Sequence, residues 1–325
     1  MSEIKTPFSD KRKPLHELLP LDQPLRVEID PADVCNFKCS FCFHSKKDSD
    51  FYGKMMDRET FELIVSQLKE FKKPITKVYL YALGEPLINK DTPYFVSKLK
   101  EEGVAETVAI TSNGSLLTHN LSDSLIGAGL DQLSISINGL CDEDYQRICN
   151  ASIDFLRILD EIEYFYKNKN GCYLHVKLEG DYFSDEEKRK FFDIFHGKCD
   201  SMHIDNVSDI WPDMPIDSQE NLYGLKHFDD MTVCPQPFYD MCIHTDGTVT
   251  PCDAIWNYKE YNFGNIKDRR LVEIWNTHQK SLCVEQLKNS RECSLAICNR
   301  CNFAKYGASV DITPYRERLL EEFSS

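Results

Sequence analysis

Three cysteines near the N-terminus, Cys35, Cys39 and Cys42, are spaced C-x3-C-x2-C and can supply three thiolates to one metal centre. Closed structural sites, whether zinc or iron–sulfur, normally take four protein ligands. Three close cysteines without an obvious fourth predict an iron–sulfur cluster in which one iron is free to bind a small molecule. Two alternatives stay open at this point: a zinc site completed by His44, or three unrelated buried thiols.

Composition limits the class of protein. The chain has 325 residues and a formal charge of −15, which argues against a nucleic-acid partner because phosphate binding needs clustered Lys and Arg. The N-terminus lacks the apolar core of a signal peptide and no stretch approaches the length of a membrane helix, so we expect a cytoplasmic protein without a membrane partner. In such a chain, fourteen cysteines indicate metal or catalytic use rather than disulfides.

The elements that position these cysteines are repeated βα units. Such units imply a parallel sheet with helices outside, and ligands then collect at the carboxyl ends of the strands. The βα count alone fits either a barrel or a doubly wound sheet. Strands are predicted over 26–29, 77–81, 107–111, 132–137, 173–178 and 202–207, and helices over 57–71, 92–102, 121–128, 153–166 and 185–195.

The cysteine spacing, with Phe41 before the last cysteine, resembles the cluster motif of the radical S-adenosylmethionine (radical SAM) enzymes. In that family the three cysteines hold a [4Fe–4S] cluster, and the amino and carboxylate groups of SAM chelate its free iron. The resemblance implies a partial (β/α)6 TIM-type barrel. It also implies an enzyme that reductively cleaves SAM to a 5′-deoxyadenosyl radical, with flavodoxin or ferredoxin as the electron donor.

Motifs at the predicted strand ends extend this resemblance. The segment 83–86, Leu-Gly-Glu-Pro, resembles the Gly-Gly-Glu motif that binds the SAM amino group, with Leu83 in place of the first glycine. Asn113 lies in a Thr-Asn-Gly-type turn, and Asn138 replaces the Asp of a Ser-Ile-Asp-Gly element; Asn and Gly are also ordinary turn residues. Arg147 matches an arginine that contacts the SAM carboxylate in relatives, the alternative being an exposed helix residue. The SAM contacts that the resemblance implies are Phe41, Gly84, Glu85, Pro86, Asn113, Ser136, Asn138 and Arg147.

Polar residues alternate along the last two predicted strands. His175, Lys177 and Glu179 share one face of the fifth strand, and His203 and Asp205 share one face of the sixth. An exposed edge strand would give the same pattern. If these faces point inward, they offer contacts for a small polar substrate such as a sugar, an aminocyclitol or a nucleotide conjugate. The candidate contacts are Lys177, Glu179, His203 and Asp205.

Dehydrogenation and epimerisation are the two expected outcomes for such a substrate. Cys141, just past the fourth predicted strand, is a candidate hydrogen donor of the kind that radical SAM epimerases require, and Cys242 is a second candidate. Lone cysteines are more often small buried hydrophobes. With 34 residues before Cys35, we expect no leader-binding domain ahead of the motif, although a peptide-modifying maturase stays an alternative. A non-catalytic zinc-binding scaffold is the alternative of another class.

The C-terminal cysteines resemble the SPASM/twitch auxiliary-cluster domain that follows the barrel in many radical SAM enzymes. Asp246-Gly247 between two β-type runs predicts a hairpin that brings Cys252 towards Cys234. Cys293 is an alternative ligand, and a zinc ribbon is an alternative site. The ligands implied for one auxiliary [4Fe–4S] cluster, the second of two in the chain, are Cys234, Cys252, Cys298 and Cys301.

Turn-forming residues at 211–215 predict a domain boundary. We expect an N-terminal extension over 1–24, the partial barrel over 25–215 and an auxiliary-cluster domain over 216–310. A C-terminal helix or tail is expected over 311–325.

Overall fold

The structure, a computed structural model, describes residues 2–6, 12–45 and 53–324. Within these ranges nine strands form one sheet. The strands are β1 (Glu3–Ile4), β2 (Arg26–Ile29), β3 (Ile75–Leu80), β4 (Ala105–Ser112), β5 (Gln132–Ile137), β6 (Tyr173–Glu179), β7 (Ser201–Asp205), β8 (Asp240–Ile243) and β9 (Val249–Thr250).

The sheet is open and mostly parallel. Its strand order is β1-β7-β6-β5-β4-β3-β2-β8-β9, and the β8–β9 pair alone is antiparallel among the described strands. All six predicted strands are present as β2–β7, and the predicted Asp-Gly hairpin joins β8 to β9. The sequence did not predict β1, nor that β8 pairs in parallel with β2. The sheet therefore continues across the predicted domain boundary, which stays a prediction.

The described ranges contain thirteen α-helices. They are α1 (Leu15–Leu18), α2 (Arg58–Leu68), α3 (Thr92–Glu101), α4 (His119–Gly127), α5 (Asp142–Cys149), α6 (Phe155–Asn168), α7 (Asp185–Phe195), α8 (Leu271–Ile274), α9 (Lys280–Asn289), α10 (Arg291–Ser294), α11 (Ala296–Asn299), α12 (Phe303–Tyr306) and α13 (Arg316–Ser324), with a π-helical turn (Trp275–Gln279) between α8 and α9. No helix in the described ranges is long and apolar enough to span a membrane.

Local sequence sets the helix starts. The Asp57 carboxylate accepts a hydrogen bond from the Thr60 backbone N–H at 2.7 Å, an N-cap that stabilises α2 by about 1 kcal/mol. Ser184 and Glu187 form a capping box at the start of α7. The apolar faces of the helices then pack on the sheet; Phe61 of α2, for example, stacks on Phe95 of α3 with ring centroids 4.0 Å apart.

Strand alternation divides the sheet into an apolar and a polar face. Val27 and Ile29 of β2 are fully buried in the main core, where each contributes about 1.5–3 kcal/mol. Their neighbours Arg26 and Glu28 lie on the opposite face, in register with polar residues of the adjacent strands. Apolar and polar residues alternate between the two faces in the same way along β5–β7. The polar residues on this face include Arg26, Glu28, Lys77, Tyr79, Ser134, Ser136, His175, Lys177, Glu179, Ser201, His203, Asp205 and Asp240.

Candidate active site

The three N-terminal cysteines lie in the loop that follows β2. Backbone hydrogen bonds fix this loop on both sides: the Lys38 N–H donates to the Cys149 carbonyl of α5 at 2.8 Å, and the Glu85 N–H donates to the Val34 carbonyl at 2.9 Å. Cys39 is buried, whereas Cys35 and Cys42 are half-buried. The motif therefore forms a held loop at the carboxyl ends of the strands, where the parallel-sheet rule places a ligand.

Amide groups point at two of the three cysteine sulfurs. The Asn138 Nδ2 lies 3.7 Å from the Cys39 Sγ, and the Asn113 Nδ2 lies 3.9 Å from the Cys35 Sγ. Donors of this kind suit thiolate ligands because they stabilise negative charge on sulfur. The donor set thus fits an iron–sulfur cluster held by three cysteines. His44 does not favour the zinc alternative, because its Nε2 is hydrogen-bonded to the Leu83 carbonyl at 2.6 Å.

The environment keeps these thiols protonated until a metal binds. Burial raises the pKa of Cys35 to about 11 and that of Cys42 to about 12. The pKa of Cys39 is raised first by its hydrogen bond with Cys149, whose Sγ is 3.5 Å from the Cys39 Sγ, and then by burial. A metal centre must displace these protons, since thiolates are the ligands.

Glu85 connects the ends of two strands. Its carboxylate accepts hydrogen bonds from the Asn113 N–H at 2.7 Å, the Ser112 hydroxyl at 2.8 Å and the Leu87 N–H at 3.0 Å. Burial raises the pKa of Glu85 to about 7. These contacts assign Glu85 a positioning role in the ligand-free protein, and its contact with the SAM amino group stays a prediction.

Gly84 is required by a close backbone approach. A Cβ at this position would lie 2.0 Å from the Ala32 carbonyl oxygen and 2.5 Å from that of Val34, just ahead of the cysteine motif. Leu83 replaces the first glycine of the family pattern without such a conflict, because its side chain is buried in a cluster with Phe43 and Tyr258.

We expect Gly84→Ala to lower the free energy of unfolding by about 3 kcal/mol or more, because two carbonyl groups must move. The displaced loop should also bind less iron after anaerobic reconstitution. Gly127→Ala is the matched control, since Gly127 lies in α4 with no atom near its Cβ position. Urea unfolding and iron analysis of both variants test this, and equal stability would contradict it.

The remaining predicted SAM contacts differ in placement. Pro86 is buried at the start of a short 3-10 turn, and Ser136 lies half-buried on β5. The Arg147 side chain is 52% exposed and pairs with Asp144 at 2.8 Å. It therefore matches the exposed-helix alternative in the ligand-free protein, and its contact with SAM stays a prediction.

The four C-terminal candidate ligands converge. Cys234, Cys252, Cys298 and Cys301 line one cavity, although they are distant in sequence. Burial raises the pKa of Cys301 to about 12. Cys293 is exposed and is not among the lining residues. The four thiols thus fit one fully ligated cluster, and the geometry does not favour Cys293 as a ligand.

The cysteine loops around this cavity are held by the buried Gln286 and the half-buried Arg291. The Gln286 Oε1 accepts a hydrogen bond from the Cys234 N–H at 2.9 Å. The Arg291 guanidinium donates to the carbonyls of Cys298 and Cys301 at 3.0 and 2.7 Å. This arrangement places both members of the C-x2-C pair against the same cavity.

A cavity of about 220 Å³ lies between the two cysteine groups. Phe41 of the N-terminal motif lines it, as do Asp253 and Ala254, which follow Cys252. The polar face of the sheet also contributes Lys177. Phe303, two residues after Cys301, also lines the cavity.

The predicted substrate contacts form one ion-paired group on this cavity. The Lys177 Nζ lies 2.6 Å from the Asp205 Oδ2 and 3.6 Å from the Glu179 Oε1. The His203 Nε2 lies 3.7 Å from the Asp205 Oδ1. Burial raises the pKa of Glu179 to about 7. The structure therefore brings the four predicted residues together; Lys177 and Glu179 line the cavity, and His203 and Asp205 are not among its lining residues. Their contact with a substrate stays a prediction.

Sequence reasoning missed the opposite wall of the cavity. Arg26, Tyr81 and Asp253 line it, with Glu28 and Asp240 directly behind. Alternation of polar and apolar residues along β2 was the available signal for Arg26 and Glu28. Asp240 gave no signal, because the pairing of β8 with β2 was not predicted.

The two candidate hydrogen donors do not line the cavity. Cys141 occupies the N-cap position of α5 and is half-buried. Its pKa is raised, mainly by burial. Cys242 is fully buried on β8, beside the carboxylates of the missed wall. Within the described residues, no cysteine is among those lining this cavity.

Two family models match the chain. One, described as the radical SAM superfamily, covers residues 29–192, and the other, described as an iron-sulfur cluster-binding domain, covers residues 234–302. These matches contain the two cysteine groups described above.

Curated relatives include enzymes of different activity. The chain is 31% identical to a GTP 3',8-cyclase of Staphylococcus haemolyticus over 228 residues, which are 67% of this chain and 66% of the cyclase. It is 29% identical to a GTP 3',8-cyclase of Staphylococcus aureus, of which the match covers 43%. It is 23% identical to an Fe-coproporphyrin III synthase of Methanosarcina barkeri, covering 84% of this chain and 78% of that one. The chain thus spans less than two thirds of both cyclases.

Solved structures share the fold at low identity. BtrN in complex with AdoMet and 2-DOIA is 19% identical with a TM-score of 0.54, covering 85% of this chain and 92% of BtrN. Streptococcus suis SuiB bound to its precursor peptide SuiA is 18% identical with a TM-score of 0.64, covering 88% and 73%. The enzyme anSMEcpe with bound AdoMet is 17% identical with a TM-score of 0.61, covering 93% of both chains.

Proposed function

This chain belongs to the radical SAM superfamily and carries a C-terminal iron–sulfur cluster-binding domain, and from that premise we propose that it dehydrogenates a small polar substrate. Its cofactors are [4Fe–4S] clusters and SAM. The observation that carries the proposal is the single cavity that extends from Phe41, in the N-terminal cysteine motif, to Asp253, beside Cys252.

The residues present fit both cofactor sites. Cys35, Cys39 and Cys42 would hold the cluster that binds SAM, and the four C-terminal cysteines that line one cavity would hold the auxiliary cluster. When bound, SAM at the first site supplies an acceptor for a hydrogen atom, and the auxiliary cluster supplies an acceptor for an electron.

The protein side chains must bind and orient the substrate themselves. Four cysteine ligands leave no open position at the auxiliary site, so the substrate cannot be held there by iron. Lys177 offers a cationic donor held by two carboxylates, and Glu179 offers an acceptor. Such paired groups suit hydroxyl and amine substituents on a small molecule.

Dehydrogenation is favoured over epimerisation because no cysteine lines the cavity in the described residues. An epimerase must return a hydrogen atom to the substrate, and Cys141, at the N-cap position of α5, is not among the lining residues. The electron donor that we propose is a flavodoxin or a ferredoxin.

The test is an anaerobic assay of 5′-deoxyadenosine formation with reductant, SAM and fractionated cell extract. We expect the low-molecular-mass fraction to stimulate SAM cleavage above the uncoupled rate. Stimulation by the peptide fraction alone would overturn the small-substrate proposal in favour of a peptide-modifying maturase.

A further inference from the structure

The cavity wall formed by β2, β8 and Asp253 has more carboxyl groups than cationic groups. The Arg26 guanidinium donates to both carboxylate oxygens of Asp240, at 3.0 and 2.7 Å. Its Nε is also 3.3 Å from the Glu28 Oε1, which accepts a hydrogen bond from the Tyr81 hydroxyl at 3.2 Å. The Tyr81 hydroxyl lies 3.5 Å from the Asp253 Oδ2. One guanidinium thus faces three carboxylates.

Two oxygens of this group have no hydrogen-bond partner. They are the Glu28 Oε2, on a side chain that is 0% exposed, and the Asp253 Oδ1. Glu28, Asp240 and Asp253 each offer an oxygen within 4.8 Å of the others. A buried carboxylate oxygen without a donor is costly, and native proteins rarely keep one unless a ligand pairs with it.

The other wall does not supply the missing positive charge. Lys177 is already paired with Asp205 and Glu179, and the Asp205 Oδ1 on that wall also lacks a hydrogen-bond partner. The pKa of His203 is lowered, mainly by burial, which disfavours its charged form. The two walls therefore combine two cationic side chains with five carboxyl groups, of which Glu179 and Asp253 line the cavity itself. The groups are Arg26 and Lys177 with Glu28, Asp240, Asp253, Glu179 and Asp205.

We propose that the substrate carries an amine and that its ammonium group binds between Glu28 and Asp253. This inference rests on the proposed function and names the substrate class: a cationic, amine-bearing small molecule. An ammonium has donors for both unpartnered oxygens, and the adjoining cavity has room for the polar body of the molecule. A hard divalent cation fits less well, because Mg²⁺ and Ca²⁺ take about six to eight oxygen ligands and only two carboxylate oxygens are unpartnered at this wall.

The charge of the natural substrate can be tested before its identity is known. The low-molecular-mass extract is passed over a cation-exchange resin, and both fractions are assayed for stimulation of SAM cleavage by the reconstituted holoenzyme. We expect the stimulating activity in the retained, cationic fraction and its loss after acetylation of amines. Activity in the unretained fraction would overturn the inference and leave the proposed function standing. No stimulation by either fraction would instead count against the proposed function itself.

A second measurement tests the binding position. Ethylammonium chloride should raise the melting temperature of the wild-type holoenzyme more than tetramethylammonium chloride of equal ionic strength, because the second cation has no N–H donor. In Glu28→Gln this difference should vanish, whereas the ligand-free variant should melt about 1–3 °C higher because a buried carboxyl group with an unpartnered oxygen is removed. Glu106→Gln, an exposed carboxylate on β4, should behave like the wild type.

Three results of this second measurement would overturn the inference. They are an equal response to both cations in the wild type, an undiminished difference in Glu28→Gln, and stabilisation of the wild type but not the variant by MgCl₂ alone. The last result would assign the carboxylates to a metal ion. Since the extract assay uses the wild-type protein, the inference stays testable if Glu28→Gln does not fold.

Discussion

Replacing Cys35, Cys39 and Cys42 together with alanine should abolish reductive cleavage of SAM. It should also lower the iron content after anaerobic reconstitution from about eight to about four per chain. These thiols lie in one held loop, with amide donors near two of the sulfurs. The measurements are iron per chain and 5′-deoxyadenosine by chromatography.

Cys172→Ala is the control for this variant, because Cys172 is also buried and lies outside both cysteine groups. It should keep all iron and all SAM cleavage. If the triple variant keeps its full iron content, the N-terminal cluster is wrongly assigned. If the wild type binds one or two zinc ions and no iron, the chain is a zinc-binding scaffold.

Replacing Cys298 and Cys301 together should separate the two clusters functionally. We expect product formation to fall to the detection limit, while about four irons and uncoupled SAM cleavage are retained. These two thiols line the cavity of the C-terminal cysteines and do not line the cavity proposed for the substrate. The physical reason is that the proposed dehydrogenation removes a proton and an electron in addition to the hydrogen atom, and the site for the electron acceptor would be lost.

Cys293→Ala is the matched control for the second variant. Its thiol is exposed and outside the cavity-lining set, so that iron content and product formation should both equal those of the wild type. Loss of about four irons in Cys293→Ala would instead make Cys293 a ligand of the auxiliary cluster.

Local patterns predicted most of the elements. The strand over 132–137 and the helix over 185–195 have the bounds that were predicted, because period-two alternation and the Ser184 capping box are local signals. Helix α5 was missed since it is short and charged, with Tyr145, Ile148 and Cys149 as its buried residues. A pattern that weak does not stand out from a loop.

Non-local contacts explain what the sequence could not predict. A buried Asp240 is unfavourable in a strand taken alone, and it is stabilised by Arg26, which lies 214 positions earlier. Strand β8 and the carboxylate wall therefore depend on tertiary pairing. The contact between Cys39 and Cys149 likewise needs the fold to bring the motif loop against α5.

The candidate sites also differ in whether local patterns or only the folded structure identified their residues. The C-x2-C pair and the Asp-Gly hairpin are local, and they allowed the four candidate auxiliary ligands to be grouped by resemblance. The candidate substrate contacts at Lys177 and Glu179 followed from strand alternation, whereas the structure alone placed Asp253 on the same cavity with Glu28 beside it.

The most direct test of the account is to follow hydrogen from substrate to SAM. Low-molecular-mass extract from cells grown in deuterated water is incubated anaerobically with the reconstituted enzyme, reductant and SAM in ordinary water. We predict deuterium in 5′-deoxyadenosine, and a cationic small molecule that becomes lighter by its two removed hydrogens. SAM cleavage without deuterium transfer from this extract, or transfer from the peptide fraction alone, would contradict the account.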